Sequence, residues 1–154
     1  MTLSKNTFTG EYSYNLDSKN RVNIPSKFRN CLSSDNKKTF IITKGVDECI
    51  WVYPLIIWNT IENELKKLSS LSRTNRAFTR NTVRFASSAK FDKQGRIQIT
   101  SNLLDYSKLE KDVTIIGMVN KIEIWNPKLL NKIDKETTGI ESREYDELAN
   151  KIIL

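Results

Sequence analysis

Histidine is absent from the 154-residue sequence, and cysteine and glycine are scarce, with two and five residues. Without histidine, the chain lacks the side chain that most often acts as a general base or a metal ligand near neutral pH. Cys31 and Cys49 alone cannot complete the four-ligand shell of a zinc site, and the glycines form no phosphate-binding loop. We therefore expect no metal, no cofactor and no enzymatic activity, and we expect both cysteines to be buried, reduced thiols.

Long hydrophobic runs are also missing. The longest, CIWVYPLIIW, is interrupted by Pro54 and is far shorter than the roughly 20 residues that cross a bilayer of about 30 Å. The first residues, MTLSKNTFTGEYS, lack the basic, apolar and small-residue succession of a signal peptide. These features predict a cytoplasmic protein without a membrane partner.

Acidic residues are missing from one part of the chain. The net charge is +7, and the segment from Leu65 to Phe91 holds seven lysines and arginines and no aspartate or glutamate. A basic patch of this kind attracts polyanions such as nucleic acid, although it can also be an ordinary solvated surface. Charge alone leaves both interpretations open.

What the sequence does contain is an internal repeat. Asp17 and Arg21 in NLDSKNRVNIPSKF recur as Asp92 and Arg96 in KFDKQGRIQITSNL, at an offset of 75. A second pair of segments, FIITKGVDECIWVYP and VTIIGMVNKIEIWNP, repeats at an offset of 72. Two blocks in the same order indicate a duplicated unit.

Each copy of the repeat is predicted to be mainly β-structure. Tyr12, Tyr14 and Leu16 alternate with polar residues, which is typical of a strand with one face on a core. The sequences DSKN and DKQG that follow in the two copies favour tight turns, because Asp accepts hydrogen bonds from nearby amides and Asn or Gly adopts left-handed backbone. After each turn we expect a short strand, a short helix and two further strands.

The short strand after each turn predicts a DNA-binding surface. Its core-facing residues are Val22, Ile24, Ile97 and Ile99, and its outward residues are Arg21, Asn23, Arg96 and Gln98. A two-stranded ribbon can enter the major groove, where Arg pairs with guanine, and Asn or Gln with adenine. Lysines beside the turns would contact phosphates, and each Asp would hold its Arg in place. The predicted DNA-binding residues are Asp17, Lys19, Arg21, Asn23, Asp92, Lys93, Arg96 and Gln98.

Two other interpretations of the same residues are open. Asp17 and Asp92 occupy equivalent places in similar halves, as the two carboxylates of a proton-sharing dyad would. Their neighbours differ between the copies, however, and each Asp lies four residues before an Arg, so a charge-paired turn explains them more simply. Such a turn could be purely structural, and it is compatible with DNA binding.

Helices are predicted between the two copies. An apolar stripe of Ile57, Ile61, Leu65 and Leu68 indicates a first helix, and a second is expected from about Ser72 to Ser87. The second helix carries an arginine stripe, defined as Arg73, Arg76, Arg80 and Arg84. A solvated face, an anion contact and a subunit contact all remain open for this stripe.

The tail after Pro127 has two further amphipathic segments, KLLNKI and REYDELANKIIL. In the second, Tyr145, Leu148 and Ile152 recur at helical spacing. This pattern indicates docking on the body of the protein or on a neighbouring subunit.

The ordered motifs resemble a known family. FTGEYSYNLDSKNRVNIPSKFR, ECIWVYP, SRTNRAFTR, DKQGRIQI and EIW together resemble the MraZ family of bacterial transcriptional regulators over about residues 8–127. The resemblance implies a β-rich α+β fold of two tandem SpoVT/AbrB-like swapped-hairpin domains in pseudo-twofold arrangement, with connecting and C-terminal helices. We place the domains at 8–55 and 84–127, with linker helices at 56–83 and a helical tail at 128–154.

The resemblance also implies a function. Members of the family form a ring-shaped homo-oligomer that binds direct repeats in double-stranded DNA upstream of its own division and cell-wall gene cluster and controls its transcription. The resemblance therefore places the protein at the nucleoid, and it assigns the DNA-contacting DxxxR motif to Asp17 and Arg21 and to Asp92 and Arg96. The alternative is an antitoxin-like or other protein-binding module of the same fold.

Two positions depart from the family pattern. Asn20 stands where glycine is usual in the first turn, and Thr100 stands where a proline often ends the second short strand. We expect the first turn to survive, because Asn accepts left-handed backbone at modest cost.

Overall fold

The chain forms eight strands, six α-helices and one short 3-10 helix (Ser34–Asn36) in the part that the computed structural model describes, residues 5–138 and 142–152. The strands are β1 (Phe8–Asn15), β2 (Arg21–Asn23), β3 (Thr39–Lys44), β4 (Ile50–Pro54), β5 (Ser87–Lys90), β6 (Arg96–Gln98), β7 (Asp112–Val119) and β8 (Ile122–Trp125). The helices are α1 (Ser26–Asn30), α2 (Leu55–Lys66), α3 (Arg73–Val83), α4 (Ser101–Ser107), α5 (Pro127–Thr137) and α6 (Ser142–Lys151).

Six strands form one antiparallel sheet in the order β1-β7-β8-β4-β3-β5. The order is symmetric, because β1, β3 and β4 of the first copy correspond to β5, β7 and β8 of the second. At the centre β4 pairs with β8, with Trp51 opposite Glu123. These two residues occupy the same position in the two copies of the segment that repeats at an offset of 72. A pseudo-twofold axis therefore passes between them. The predicted pseudo-twofold arrangement is confirmed.

The remaining two strands, β2 and β6, pair with each other and form a separate two-stranded sheet, which we call the ribbon. Val22 lies opposite Ile97 in the ribbon, and these residues are equivalent in the offset of 75. β1 pairs with β7, so the chain leaves the large sheet at the end of β1, turns, and enters the ribbon. The strands on either side of each turn therefore find their partners in the other copy, as the swapped-hairpin prediction requires.

A hydrophobic core lies between the ribbon and the large sheet. The four side chains predicted to face the core are buried: Val22 and Ile97 in the ribbon strands, and Ile24 and Ile99 directly after them. They pack with a larger set of buried apolar side chains, namely Phe8, Phe28, Phe40, Ile42, Ile50, Val52, Leu103, Ile115, Ile122 and Ile124. Full burial of one such side chain stabilises the fold by about 1.5–3 kcal/mol. The ribbon is consequently fixed to the sheet by its inner face, and its outer face is free to carry polar side chains.

The opposite face of the large sheet is covered by α2 and α3. Trp58 of α2 packs with Ile41 and Tyr53, whose side chains alternate with those that face the ribbon. In α3, the carbonyl of Thr82 accepts a hydrogen bond from Thr43 Oγ1 at 3.4 Å. α3 ends at Val83, earlier than the predicted Ser87, because the chain re-enters the sheet as β5. The ribbon and the helical layer thus lie on opposite faces of the sheet.

The tail begins at a well-defined cap. Asn126 accepts a hydrogen bond from the N–H of Lys128 at 3.0 Å and donates one to the carbonyl of Lys108 at 2.7 Å, which anchors the start of α5. In the second tail segment Tyr145, Leu148 and Ile152 are 70%, 59% and 60% exposed. They do not dock on the body of the chain, and docking on a neighbour stays a prediction. Among the described residues, every helix is too short or too polar to cross a membrane.

Candidate nucleic-acid interface

The turn before β2 is held by the carboxylate of Asp17. Its Oδ1 accepts hydrogen bonds from the N–H groups of Lys19 and Arg21, both at 2.9 Å, and its Oδ2 accepts one from Arg21 Nε at 2.7 Å. One side chain therefore fixes both the backbone of the turn and the guanidinium at its end.

The turn before β6 repeats this arrangement. Asp92 Oδ1 accepts from the N–H groups of Gln94 and Arg96 at 2.9 and 3.0 Å, and Oδ2 accepts from Arg96 Nε at 3.0 Å. Every bond has its equivalent in the first turn at an offset of 75. The predicted pairing of each Asp with nearby amides and with its Arg is confirmed.

These hydrogen bonds lower the pKa of both carboxyl groups. For Asp17 the largest cause is the N–H of Arg21, and the Arg21 guanidinium lowers the pKa further. For Asp92 the largest cause is the N–H of Arg96, again with its guanidinium contributing. Both groups are ionised at neutral pH, so each Asp–Arg pair carries no net charge. Any excess positive charge at the turns must come from other cations, namely the neighbouring lysines and Arg29.

Each turn contains one residue in left-handed backbone. Gly95 has φ of 80° and Asn20 has φ of 58°, so the expectation that Asn keeps the first turn is confirmed. A Cβ at Gly95 would also meet the guanidinium of Arg29, whose Nε donates to the carbonyl of Ile24 at 2.9 Å. A larger residue at Gly95 would therefore have to displace the flexible end of the Arg29 side chain as well as adopt left-handed backbone.

Thr100 replaces the family's proline without changing the local backbone. It precedes α4 with φ of −73° and ψ of 153°, while Pro25 precedes α1 with φ of −49° and ψ of 136°. Both residues keep the extended conformation that comes before a helix.

The two turns are braced by each other's strand. Asn23 Nδ2 donates to the carbonyl of Gln94 at 3.2 Å, and Gln98 Nε2 donates to the carbonyl of Lys19 at 2.6 Å. Gln98 Nε2 also lies 3.4 Å from the carbonyl of Ile99, so its donors are used inside the ribbon. Both amide oxygens and the second N–H of Asn23 stay available to a ligand. The sequence suggests only the adenine-reading role for these residues. The bracing role depends on the pairing of β2 with β6.

The two Asp–Arg pairs also contact each other. Asp17 Oδ2 lies 3.5 Å from Arg96 Nη1, in addition to its bond with Arg21. Arg96 places Nη2 2.9 Å from Asp92 as well. In the described part of the chain, Arg96 thus meets carboxylates through all three nitrogens, whereas Arg21 does so through Nε alone. The repeated motif yields two arginines with different numbers of uncommitted donors.

The arginines of the ribbon are accessible to solvent. The side chains of Arg21 and Arg96 are 28% and 24% exposed, and those of Asp17 and Asp92 are 29% and 37% exposed. None of them lies in a sealed core. They form an outward surface on the side of the ribbon opposite its buried face, and their hydrogen bonds to each other fix its geometry.

A lysine-rich cleft adjoins the second turn. Lys37, Lys38 and Lys90 line it together with Phe91, and the predicted site residues Asp92 and Lys93 complete it. The N–H of Phe91 donates to the carbonyl of Lys38 at 3.1 Å, which joins the loop before β3 to the second turn. The sequence prediction did not place Lys37 and Lys38 beside the second turn. The sequence shows two adjacent lysines at this place, but it does not indicate which turn they lie beside.

Fold and site together define a class of protein. It is a duplicated, strand-swapped β-protein whose outer ribbon presents two Asp–Arg turns. Comparison with known families agrees with this class. The chain belongs to the MraZ family, because the family model described as "MraZ protein, putative antitoxin-like" matches residues 7–81 and 83–150.

Curated relatives extend this result to the level of function. "Transcriptional regulator MraZ" of Halothermothrix orenii is 46% identical over 121 residues, covering 79% of this chain and 82% of that protein. The proteins of the same name from Natranaerobius thermophilus and Pediococcus pentosaceus are 42% and 40% identical over 146 residues, each covering 95% of this chain and 96% of the relative. The chain is therefore a member of a family of transcriptional regulators, not of an enzyme family.

Proposed function

We propose that the protein regulates transcription by binding double-stranded DNA through the outer face of the ribbon. Arg21 contacts base edges, Lys19 and Lys93 contact phosphates, and Asp17 and Asp92 hold the two arginines in position. Arg96, Asn23 and Gln98 shape the ribbon and add further contacts. The observation that carries this proposal is the pair of linked Asp–Arg turns on one accessible, rigid surface.

Rigidity is what makes this surface suitable for recognition. A guanidinium that is already held by a carboxylate loses less conformational entropy on binding than one that moves freely. Since the net charge of each Asp–Arg pair is zero, the pair supplies geometry and hydrogen-bond donors. The lysines around the turns supply the electrostatic attraction to phosphate.

We further propose that the chain assembles into a ring and binds direct repeats upstream of its own division and cell-wall gene cluster. A single ribbon offers few base contacts, so its affinity for one short site is expected to be low. Several ribbons on one ring engage neighbouring sites together, and the effective concentration of each further site raises the overall affinity by about 10²–10⁴-fold. On this proposal the protein works in the cytoplasm, at the nucleoid.

The test is a fluorescence anisotropy titration of labelled DNA from upstream of its own gene, repeated at several salt concentrations. DNA binding through lysines predicts that log affinity falls linearly with log salt, by about 0.9 for each phosphate contacted. A scrambled duplex of the same length should bind more weakly at every salt concentration. Equal affinity for both duplexes, or no binding in dilute buffer, would contradict the proposal.

The description of the family as antitoxin-like favours one second candidate, a module that binds a partner protein. Under this alternative the protein would co-purify with another chain in fixed ratio. It would also show no preference for its own upstream DNA. The titration above and a pull-down with a tagged chain separate the two functions.

A further inference from the structure

A groove between α2 and α3 lies on the face of the sheet opposite the ribbon. It encloses about 530 Å³, and its walls combine Leu65 and Leu68 of the α2 region with Arg76, Thr79 and Arg80 of α3. Leu68 is 39% exposed, which is high for an apolar side chain in contact with a groove. The groove is therefore partly apolar, basic and open to solvent.

The basic wall of the groove is stiff. Arg76 Nη1 donates hydrogen bonds to the carbonyls of Ser70 and Leu71, at 2.9 and 3.1 Å, and so ties α3 to the loop that follows α2. The helix also starts at a capped residue, because the side chain of Ser72 accepts a bond from the N–H of Asn75 at 3.2 Å. Arg80 lies one turn further along and is exposed. No Asp or Glu occurs in α3, so its positive charge is not balanced within the helix.

The same chain carries a segment of complementary chemistry in α6. Tyr145, Leu148 and Ile152 lie on one side of this helix and its end, and all three are more than half exposed. At 100° per residue, Glu144 and Asp146 fall on the two borders of this apolar stripe. Lys151 lies on the same side as Glu144, so the stripe has one carboxylate on each side and one lysine. An apolar stripe with a flanking carboxylate on each side matches a partly apolar groove that two guanidiniums line.

We propose that the groove between α2 and α3 binds α6 of a second copy of the chain. The apolar side chains Tyr145 and Leu148 cover Leu65 and Leu68, and the carboxylates beside them pair with Arg76 and Arg80, the two arginines of the stripe that line the groove. Arg–carboxylate pairs at the edge of such a contact set its orientation and suppress wrong partners. This inference rests on the assembly in the proposed function and names the surfaces that build it.

The contact joins two different surfaces, so it is heterologous. Repetition of a heterologous contact from copy to copy closes into a ring when the rotation fits. The groove lies on the face of the sheet away from the ribbon. Every copy in such an assembly keeps its Asp–Arg turns uncovered by this contact.

Cysteine cross-linking tests the contact directly. Thr79→Cys and Leu148→Cys are made in two separately tagged chains, which are co-expressed and treated with a short bifunctional maleimide. We expect a covalent dimer that contains one chain of each kind. The native Cys31 and Cys49 are 8% and 0% exposed, so the wild-type chain is the control and should give no product. A double variant that cross-links only within one chain would overturn the proposal, because α6 would then occupy its own groove.

Charge reversal is a second test of the proposed contact. Arg80→Glu should shift the assembly to smaller species in light scattering and weaken self-association by at least about tenfold. Glu144→Arg with Asp146→Arg, added to the same chain, should restore it. Arg73→Glu is the matched control, because it makes the same charge change on the same helix outside the groove.

The remaining outcomes are equally decisive. Assembly that persists in Arg80→Glu, with DNA affinity lost instead, would overturn the proposal and assign the stripe to phosphate contact. A wild-type chain that is monomeric would overturn both this proposal and the ring. A wild-type ring with no cross-link and no effect of Arg80→Glu would overturn this proposal alone. The upstream-DNA titration of the wild-type chain is run beside these measurements, so failure of the proposed DNA binding is distinguished from failure of this contact.

Discussion

At the scale of single residues, the two arginines of the ribbon differ although their motifs are the same. Arg21 meets carboxylate through Nε only, while Arg96 meets Asp92 and Asp17 through three nitrogens in the described part of the chain. The second arginine is consequently less free to leave its carboxylates for a base. Asp17 also connects the two turns, so it holds both arginines at once.

This difference gives a prediction for alanine variants. Arg21→Ala should weaken binding to upstream DNA by about 1–3 kcal/mol, or roughly 5- to 150-fold. Arg96→Ala should cost less in affinity, because fewer of its donors are available. Anisotropy titrations at one salt concentration measure both. Lys67→Ala is the control, since Lys67 pairs with Glu64 in the helical layer. A larger loss for Arg96→Ala would contradict the assignment.

The lowered pKa values of Asp17 and Asp92 give a prediction for pH. A carboxyl whose pKa is lower in the folded than in the unfolded state stabilises the fold above the unfolded pKa, and this contribution is lost as the pH falls through the folded pKa. Both shifts are downward from 3.8, and the chain has no histidine. DNA affinity at constant ionic strength should therefore be flat between about pH 5 and 8. A transition near neutral pH would show that another group controls binding.

At the scale of elements, the contact between β4 and β8 contains a buried carboxylate beside the pseudo-twofold axis. Glu123 is 7% exposed and accepts hydrogen bonds from the indole N–H groups of Trp51 and Trp125, at 2.9 and 2.8 Å. The thiol of Cys49 lies 3.7 Å away, and burial followed by the charge of Glu123 raises its pKa. One side chain from the second copy thus satisfies donors from both halves of the sheet.

We predict that Glu123→Ala destabilises the protein by about 1–3 kcal/mol, because it leaves the buried indole donor of Trp125 unpaired. The half-buried indole of Trp51 also loses its acceptor, but water can reach it. Glu123→Gln keeps one acceptor oxygen and should lose less. The midpoint of urea unfolding measures both changes. An unchanged midpoint for Glu123→Ala would show that water replaces the carboxylate at this place.

At the scale of the whole molecule, neither copy of the repeat is complete. β1 pairs with β7, β5 pairs with β3, and β2 pairs with β6, so each half supplies strands to the other. Separation of the halves would expose the edges of these strands and the inner face of the ribbon. The burial of that apolar face is the main source of stability, so each half depends on the other.

We predict that residues 1–70 and 71–154, expressed separately, do not fold as monomers. When the two halves are mixed, they should re-form the apolar packing on both faces of the large sheet, since the cut between residues 70 and 71 lies in a loop outside both sheets. Dispersion of amide signals in NMR spectra of each half and of the mixture is the measurement. A half that folds only as a dimer of two identical halves is compatible with this prediction, because each half then supplies the strands that the other lacks. A half that folds as a monomer would contradict it.

The sequence alone determined the features that depend on neighbouring residues. The alternation in the strand after each turn fixed which side of the ribbon is buried, and the Asp and the left-handed residue fixed each turn. These interactions span at most four residues, and so their signals survive in a linear pattern. The repeat itself, and the ordered motifs that indicate the family, also lie entirely in the sequence.

The tertiary structure decided everything that joins the two copies. Gln98 braces Lys19 across 79 positions, Asp17 reaches Arg96, and Lys37 and Lys38 lie beside the second turn. It also placed the arginine stripe and the ribbon on opposite faces of the sheet. Such contacts are set by strand pairing and burial across the whole chain, since residues far apart in sequence leave no periodic signal of which partner they meet.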